Sequence, residues 1–392
     1  MNTSVYPQSR HLMGPGPSDV HPRVLAAMAN PTVSHLDPEF ILMMDNLKDM
    51  LRYAFQTENE LTIPLSGPAS VGMESCFVNL IEPDDKVIVC QNGAFGGRMR
   101  ENVERIGAKA VMVTDDWGCP VDPQKVSDAL SCNPDTKAVA FVHAETSTGV
   151  QSDAATICAI ARQNNALSIV DCVTSLAGSP VLTDKWEADA IYSGSQKCLS
   201  CTPGISPLTL SPRAVDVLRN RKKKGQSWFM DLNLLMDYWG EGSSRSYHHT
   251  APINSLYGLH ESLTLLQEEG IENAWQRHLS MHLALRHGIE ALDLSFLVAE
   301  NDRLPQLNTI CIPDSVNEAD VRSYLLSKYN LEVGAGLGIL DGKVWRIGVM
   351  GQSAKKENII LFLSGLEDAL EKQGLRIKKG ESVYAAQRAL GS

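Results

Sequence analysis

The sequence lacks several features that define whole classes of proteins. None of its apolar runs approaches the ~20 residues that a membrane-spanning helix requires. It has no excess of basic residues, since 35 Lys and Arg stand against 46 Asp and Glu for a formal net charge of −11. This balance disfavours a surface that binds nucleic acid. It also shows no internal repeat and no low-complexity segment. We therefore expect neither a membrane nor a nucleic acid as a partner.

The nine cysteines lack the pattern of a metal site or a disulfide framework. Cys198 and Cys201 spell CxxC, but a zinc site would need a second pair at similar spacing, and the sequence has none. We expect free, reduced thiols and no metal ligands. Residues 1–7 lack the apolar core of a signal peptide, and residues 388–392 carry no targeting tripeptide. We therefore expect a cytoplasmic protein.

Short apolar runs rich in β-branched residues alternate with amphipathic stretches of helical length. The predicted strands are 86–90, 110–113, 138–142, 167–170 and 190–192, and the predicted helices between them include 98–106, 123–129 and 153–163. Such alternation predicts parallel βαβ units, and hence an α/β fold whose mostly parallel sheet is covered by helices on both faces. Ligands of such sheets bind at the carboxyl ends of the strands.

The pattern changes near residue 270. Two helices at 255–266 and 286–292 lead into a strand at 309–312, a helix at 318–328 and a predicted strand pair of 331–333 with 344–347. This order is typical of a smaller α+β domain. We therefore predict an N-terminal extension (1–11), a large domain (12–269) and a small C-terminal domain (270–392).

Lys197 is the most informative residue that is present. It ends a small-residue loop, 193–196, that follows a predicted strand, and Asp171 ends another predicted strand. A lysine held in a cleft forms a Schiff base with pyridoxal 5'-phosphate, and a strand-end acid keeps the pyridine nitrogen protonated so that the ring acts as an electron sink. The pair predicts a pyridoxal phosphate enzyme with Lys197 and Asp171 as catalytic residues.

Other residues suit the rest of such a site. Ala69 and Ser70 begin a predicted helix, where backbone amides bind phosphate, although small residues at this place more often form only an ordinary helix cap. Phe95 and Val173 are candidates for the two faces of the ring, with core packing as the alternative. Arg346 is the candidate for gripping a substrate carboxylate with two hydrogen bonds, with an exposed strand charge as the alternative.

Several segments together resemble those of the class V, fold-type I aminotransferases, and within them the alanine–glyoxylate and serine–glyoxylate (serine–pyruvate) group. They run in the family's order from about residue 12 to 350 and comprise 13–18, 66–67, 145–149, 170–175, 192–197, 247–250 and 342–348. As a set they are highly specific and cover nearly the whole chain.

The resemblance implies roles around the cofactor. Lys197 is the Schiff-base lysine and proton shuttle, and Asp171 pairs with the pyridine nitrogen. Thr146 bonds the ring hydroxyl, and Gln196 reaches the phosphate. The phosphate turn departs from the family's usual Ser-Gly-x-Gly because Pro68 and Ala69 follow Gly67, and proline removes one amide donor. Phe95 stands where the family often has tryptophan.

The resemblance also implies a substrate side and a partner subunit. Arg346 binds the substrate carboxylate, and Gly16 lies near the substrate. Tyr247 and Thr250 contact the phosphate of the other subunit's cofactor, which implies a homodimer with shared active sites.

The implied reaction is a ping-pong transfer of an amino group from a small amino acid, alanine or serine, to glyoxylate. The products are glycine and pyruvate or hydroxypyruvate. Serine–pyruvate, ureidoglycine–glyoxylate and pyridoxamine–pyruvate aminotransferases on the same scaffold are alternatives. A cysteine desulfurase, using Cys198, Cys201 or Cys311 as its mobile thiol, and a non-catalytic binding module are more distant ones.

Overall fold

The computed structural model describes residues 7–240 and 245–391, so residues 1–6 of the predicted N-terminal extension and Ser392 lie outside it. No helix within those two ranges is long and apolar enough to cross a membrane. The strands are β1 (His11–Leu12), β2 (Leu61–Ser66), β3 (Lys86–Gln91), β4 (Lys109–Thr114), β5 (Thr136–Val142), β6 (Ala144–Glu145), β7 (Val150–Gln151), β8 (Leu167–Asp171), β9 (Ala190–Tyr192), β10 (Ile205–Leu210), β11 (Leu307–Cys311), β12 (Leu331–Glu332), β13 (Gly334–Ala335) and β14 (Val344–Gly348).

The helices follow the strands in alternation. They are α1 (Pro22–Met28), α2 (Pro38–Phe55), α3 (Ala69–Leu80), α4 (Ala94–Ile106), α5 (Pro123–Cys132), α6 (Ala154–Gln163), α7 (Thr183–Trp186), α8 (Pro212–Arg219), α9 (Leu232–Trp239), α10 (Ile253–Glu269), α11 (Ile271–Glu290), α12 (Glu318–Tyr329), α13 (Lys356–Lys372) and α14 (Glu381–Ala389). Several begin with a capping side chain before a proline. Asp37, for example, accepts the Glu39 amide at 2.9 Å, and Pro38 occupies the first helical position, where no intrahelical donor is needed.

Among the described residues, seven strands form the central sheet in the order β2-β10-β9-β8-β5-β3-β4. The pairs β3–β4, β3–β5, β5–β8 and β8–β9 are parallel, whereas β10 is antiparallel to both of its neighbours. Every residue of β8, β9 and β10 is buried, as expected of strands covered on both faces. The predicted mostly parallel α/β fold and its five strands are confirmed.

Two strands of the central sheet, β2 and β10, were not predicted. Each carries a proline at its centre, Pro64 and Pro207, and these two residues are register partners. Proline cannot donate to the ladder and therefore argues against a central strand. The two prolines are accommodated between β2, which is the edge strand of the sheet, and its antiparallel neighbour β10.

A second, smaller sheet has the order β11-β14-β13 with antiparallel pairs. The predicted strands at 331–333 and 344–347 exist, but the prediction that they pair with each other is wrong. The strand β12 pairs instead with β1, in parallel, so that Leu331 lies beside His11. The strand β14 pairs instead with β13, which begins two residues after β12 ends, and Gly334 lies beside Arg346.

The buried apolar residues form two clusters. The larger surrounds the central sheet, and the smaller joins Trp345 of β14 to residues of α11, α12 and α13. The helix α11 belongs to both, because Ala274 packs in the larger cluster and Ala284 in the smaller. Met13 packs in the smaller cluster although it lies at the other end of the sequence. The domain limits at 269 and 270 stay a prediction.

Candidate active site

A cavity of about 190 Å³ lies at the carboxyl edge of the parallel strands. It is lined by Pro68, Ala69, Ser70, Met73, Phe95, Arg98, Val142, Ala144, Thr146, Asp171, Val173, Tyr192, Gln196 and Lys197. Every residue predicted to bind the cofactor is among them except Tyr247 and Thr250. A larger cleft of about 440 Å³ contains none of the predicted site residues.

Lys197 lies on the loop between β9 and β10, and its side chain is almost fully buried. Its Nζ donates a hydrogen bond to the carbonyl oxygen of Pro15. Burial lowers the pKa of Lys197 to about 8; the charge of Arg346 also lowers it, whereas Cys198 and Asp171 act to raise it. About a tenth of this amine is therefore neutral at pH 7, far more than for an ordinary lysine, and the neutral form is the one that a nucleophile or a general base requires.

Asp171 is the last residue of β8 and is buried. Its Oδ1 accepts the amide of Val173 at 2.9 Å, and its Oδ2 accepts the hydroxyl of Tyr192 at 2.7 Å. Burial raises the pKa of Asp171 to about 7, and these two donors oppose that shift because they favour the ionised carboxylate.

Tyr192 was not among the predicted site residues, although it lines the cavity. Tyr192 ends β9, and it is the register partner of Asp171 on the neighbouring parallel strand. Both side chains therefore project from the same face of the sheet at the same level. The register was the signal that would have identified Tyr192, and it becomes available only once the strand order is known.

The helix α3 provides the anion-binding end of the cavity. It starts at Ala69, and Pro68 before it offers no capping side chain. The first amides of a helix have no intrahelical acceptor, and its N-terminus carries partial positive charge. Close by, the Oε1 atom of Gln196 is buried without a hydrogen-bond partner among the described residues. An added Cβ at Gly194 would lie 2.7 Å from this Oε1 and 3.0 Å from the Cβ of Ala69, so the lysine loop packs tightly against the helix start.

The aromatic and hydroxyl side chains of the cavity come from separate elements. Phe95 lies in the first turn of α4, and the guanidinium of Arg98 sits 4.6 Å from the centre of its ring. Thr146 follows β6, and its hydroxyl lies 2.5 Å from that of Thr174. Arg98 and Thr174 were not predicted, since an exposed arginine and a buried threonine carry no distinctive signal in the sequence.

Arg346 lies at the centre of β14 and is buried. Its Nε donates to the carbonyl oxygen of Ala335 at 2.7 Å, and one terminal nitrogen donates to that of Thr146 at 3.1 Å. No acceptor within the two described ranges bonds its other terminal nitrogen. Burial lowers the pKa of Arg346, and the negative charge of Glu145 opposes this shift. The side chain thus carries a fixed, poorly solvated charge beside Lys197.

Gly16 packs directly against Lys197. Its φ is +111°, and an added Cβ would lie 2.5 Å from Nζ of Lys197. The following Ser18 donates from its hydroxyl to the carbonyl of Lys197 at 2.8 Å. The N-terminal segment therefore passes over Lys197, and the expectation that Gly16 lies near the substrate stays a prediction.

Tyr247 and Thr250 do not line the cavity. Their hydroxyls lie 3.2 Å apart, and the Tyr247 side chain is 56 % exposed, with its ring 4.7 Å from that of His35. The intervening His249 does reach toward the site, because its Nε2 lies 2.6 Å from the hydroxyl of Ser66, at the end of β2. Their assignment to a partner subunit's cofactor stays a prediction.

The two thiols of the CxxC motif are buried. Burial raises the pKa of Cys198 to about 12 and that of Cys201 to about 11. Reactive thiols require the thiolate, so neither residue is suited to act as a nucleophile.

The expected pyridoxal phosphate fits these groups. The uncapped start of α3 suits its phosphate, and the side-chain NH2 of Gln196, on the loop packed against this helix start, can donate to it. The buried Asp171, held by two donors, suits its pyridine nitrogen, and the buried amine of Lys197 suits its aldehyde. The cavity contains an acid, a base and an anion site within one enclosure, which is the set that this cofactor needs.

Comparison with known proteins gives a consistent result. The family model described as "Aminotransferase class-V" matches residues 12–342. The (S)-ureidoglycine–glyoxylate transaminase of Bacillus subtilis is 37% identical, with 96% of this chain and 94% of that protein covered. A solved ureidoglycine–glyoxylate aminotransferase from Bacillus subtilis superimposes with a TM-score of 0.96 over 100% of both chains at 36% identity. A solved alanine–glyoxylate aminotransferase from Nostoc sp. gives 0.92 at 44% identity, covering 94% of this chain and 97% of its own.

Proposed function

Since this chain belongs to the class V aminotransferases and uses pyridoxal 5'-phosphate, we propose that it transfers the amino group of a small amino acid, alanine or serine, to glyoxylate. The observation that carries the proposal is the placement of Arg346 beside Lys197, close to the cavity that contains Asp171. A single arginine binds a single carboxylate. This matches an amino donor and a keto acceptor that each carry one carboxylate and otherwise small substituents.

Lys197 and Asp171 divide the proton chemistry. The bound cofactor supplies an electron sink for the electrons of the α C–H bond. Lys197 Nζ takes the α-proton and later returns it, which a pKa near 8 allows at neutral pH. Asp171, when ionised, holds a proton on the pyridine nitrogen, and the hydroxyl of Tyr192 supports that ionised form.

Binding and orientation fall to other residues. The amides of Ala69 and Ser70 and the side chain of Gln196 hold the phosphate, while Pro68 contributes shape but no donor. Arg346 binds the substrate carboxylate through the terminal nitrogen that its protein contacts leave free. Its bonds to Ala335 and Thr146 fix the guanidinium before substrate arrives, so less side-chain entropy is lost on binding.

We further propose a homodimer in which Tyr247 and Thr250 complete the partner's phosphate site. Two observations support this arrangement. Both residues lie away from the cavity of their own chain, and Tyr247 is unusually exposed for a large side chain. Trp228 and Phe229, which pack against His248 and His249, are exposed as well. Exposed aromatic side chains of this kind suit an interface between subunits.

A cytoplasmic location is also proposed. All nine cysteines are unpaired, and free thiols persist in reducing compartments. Cell fractionation with an antibody against the natural protein tests this location.

Transfer from (S)-ureidoglycine to glyoxylate is a second candidate. It is favoured by the superposition over the full length of both chains with the ureidoglycine–glyoxylate aminotransferase structure. The two candidates share Lys197, Asp171 and Arg346 and differ only in what surrounds the donor's side chain.

The deciding experiment measures kcat/KM for alanine, serine, (S)-ureidoglycine and pyridoxamine with glyoxylate as acceptor, and repeats the last three with pyruvate, because alanine and pyruvate merely exchange with each other. The proposal expects alanine or serine to exceed the other donors by at least about tenfold, a difference of ~1.4 kcal/mol. A preference for ureidoglycine would replace the first candidate by the second. Lys197→Ala is the control, and full turnover by that variant would refute the role of the lysine.

Subunit mixing tests the shared site. Lys197→Ala is refolded with the double variant Tyr247→Ala/Thr250→Ala, each inactive alone. If the site is shared, half of the randomly mixed dimers hold one intact site, so about a quarter of the native activity should return. Mixing Lys197→Ala with Asp171→Asn is the control, since both residues act in one chain's site and no activity should return. Equal activity from the two mixtures would contradict the shared site.

A further inference from the structure

Glu145 is a fully buried acid beside the cofactor cavity that does not line it. Its Oε1 accepts the amide of Ser147 at 3.0 Å and the hydroxyl of Ser147 at 2.6 Å. Its Oε2 accepts the amide of Phe95 at 3.2 Å. Burial raises the pKa of Glu145, while these donors stabilise its ionised form. Burying a carboxylate in such a place costs free energy unless its hydrogen bonds compensate for the water that it loses.

Those bonds cap α4 from another part of the chain. The residue before this helix is Gly93, which has no side chain to offer, and the helix has no cap of its own. The hydroxyl of Ser147 accepts the amide of Ala94 at 3.0 Å, and Glu145 accepts the next amide, that of Phe95. A carboxylate at a helix N-terminus is also favoured by the helix dipole.

Glu145 and Ser147 pack so closely against Gly93 that no side chain would fit at that position. An added Cβ at Gly93 would lie 2.3 Å from Cγ of Glu145 and 2.6 Å from the hydroxyl of Ser147. Glycine is thus needed here because the acid approaches the backbone closely. The backbone of Phe95, whose ring lines the cavity, is fixed by the same contact.

We propose that Glu145 is a positioning residue for the cofactor: its buried carboxylate holds the first turn of α4, and thereby the ring of Phe95, against the bound pyridoxal phosphate. The inference rests on the cofactor site and not on which amino donor is used. Its readout is therefore cofactor affinity, which is measured without any substrate.

The chain contains a matched control for this contact. Glu367 is also buried, and it caps α14 from another helix with the same set of bonds. Its Oε1 accepts the amide and hydroxyl of Ser382 at 3.1 and 2.6 Å, and its Oε2 accepts the amide of Gly380 at 2.7 Å. Neither Glu367 nor α14 lines the cavity.

The experiment compares Glu145→Gln with Glu367→Gln. Glutamine replaces one acceptor oxygen by a donor, which must then face a backbone amide, so both variants should lower the unfolding midpoint by similar amounts. We expect Glu145→Gln to weaken pyridoxal phosphate binding to the apoenzyme by at least about tenfold, and Glu367→Gln by less than about twofold. The visible circular dichroism of the bound cofactor should change only in the first variant. Equal affinities in the two variants would overturn the proposal.

A double-mutant cycle tests whether Glu145 acts on the cofactor through Phe95. If Glu145 acts through Phe95, then Glu145→Gln should cost less than about threefold in cofactor affinity when Phe95→Ala is already present, because coupled residues are not additive. Effects that multiply in full would overturn the proposed route. Should Glu145→Gln fail to fold, Ser147→Ala removes part of the same support from α4. We expect that milder variant to weaken cofactor binding by about threefold, and an unchanged affinity would count against the proposal.

Discussion

The hydroxyl of Tyr192 should control the pH at which the cofactor site works. In Tyr192→Phe, Asp171 loses the 2.7 Å hydrogen bond on Oδ2 and keeps only the Val173 amide on Oδ1. A hydrogen bond to a charged group contributes about 1.5–3 kcal/mol, and one pKa unit corresponds to about 1.4 kcal/mol. The lost donor favoured the ionised carboxylate, so its removal should raise the pKa of Asp171 by roughly 1–2 units above the native value of about 7.

The higher pKa of Asp171 should weaken cofactor binding at low pH. Below its pKa, Asp171 is neutral and cannot pair with a protonated pyridine nitrogen; above it, the ionised carboxylate can. Raising the pKa therefore moves the acid limb of cofactor binding to higher pH. The assay is the dissociation constant of pyridoxal phosphate from the apoenzyme between about pH 6 and 9. Native protein and Tyr192→Phe should agree at the alkaline end and diverge as the pH falls.

Tyr238 provides the control for that experiment. It is as buried as Tyr192, but its hydroxyl has no hydrogen-bond partner in the described part of the chain. Tyr238→Phe should leave the pH dependence unchanged. The role of the Tyr192 hydroxyl is refuted if the dissociation constant of Tyr192→Phe runs parallel to the native one against pH, or if both variants shift the pH dependence equally.

Two further predictions concern the substrate side. Arg346→Lys keeps the charge but loses the planar fork, so kcat/KM for both the amino donor and the keto acceptor should fall about tenfold to a hundredfold, mostly through KM; a fall in kcat alone would refute carboxylate binding. Gly16→Ala places a methyl group against Nζ of Lys197 and should abolish most activity, whereas Gly374→Ala, also at a positive φ of +88° but with open space around it, should cost only about 1 kcal/mol of stability. Equal losses of activity in the two glycine variants would show that the contact with the lysine is unimportant.

The sequence predicted the cavity better than it predicted the contacts that support it. Lys197 and Asp171 could be identified because strand–loop alternation places strand ends together, and because few other residues perform their chemistry. The strands at 86–90 and 167–170 were equally clear, since buried parallel strands are continuous apolar runs. These features depend on local sequence alone.

The features that escaped prediction depend on which segments become neighbours. Tyr192 supports Asp171 only because β8 and β9 are adjacent in register. Glu145 caps a helix that starts some fifty residues earlier, and an isolated glutamate gives no sign of that. The strand β12 pairs with β1 across almost the whole sequence, a choice that no local pattern reveals. Pairing between distant segments, and not local secondary-structure propensity, therefore limited what could be predicted from the sequence.

The position of the N-terminal segment has a consequence for the order in which the enzyme is assembled during synthesis. The strand β1 pairs with Leu331–Glu332, and the carbonyl of Met13 accepts the amide of Gly348 at 2.7 Å, so the loop that carries Gly16 is anchored to residues that are made much later in translation. Residues 11–16 must therefore wait for residues 331–348 before they can take their place. The large central sheet, whose strands lie between Leu61 and Leu210, can form beforehand, whereas the wall over Lys197 is added only once residue 348 has been made. A nascent chain stalled before residue 331 should have its lysine loop uncovered.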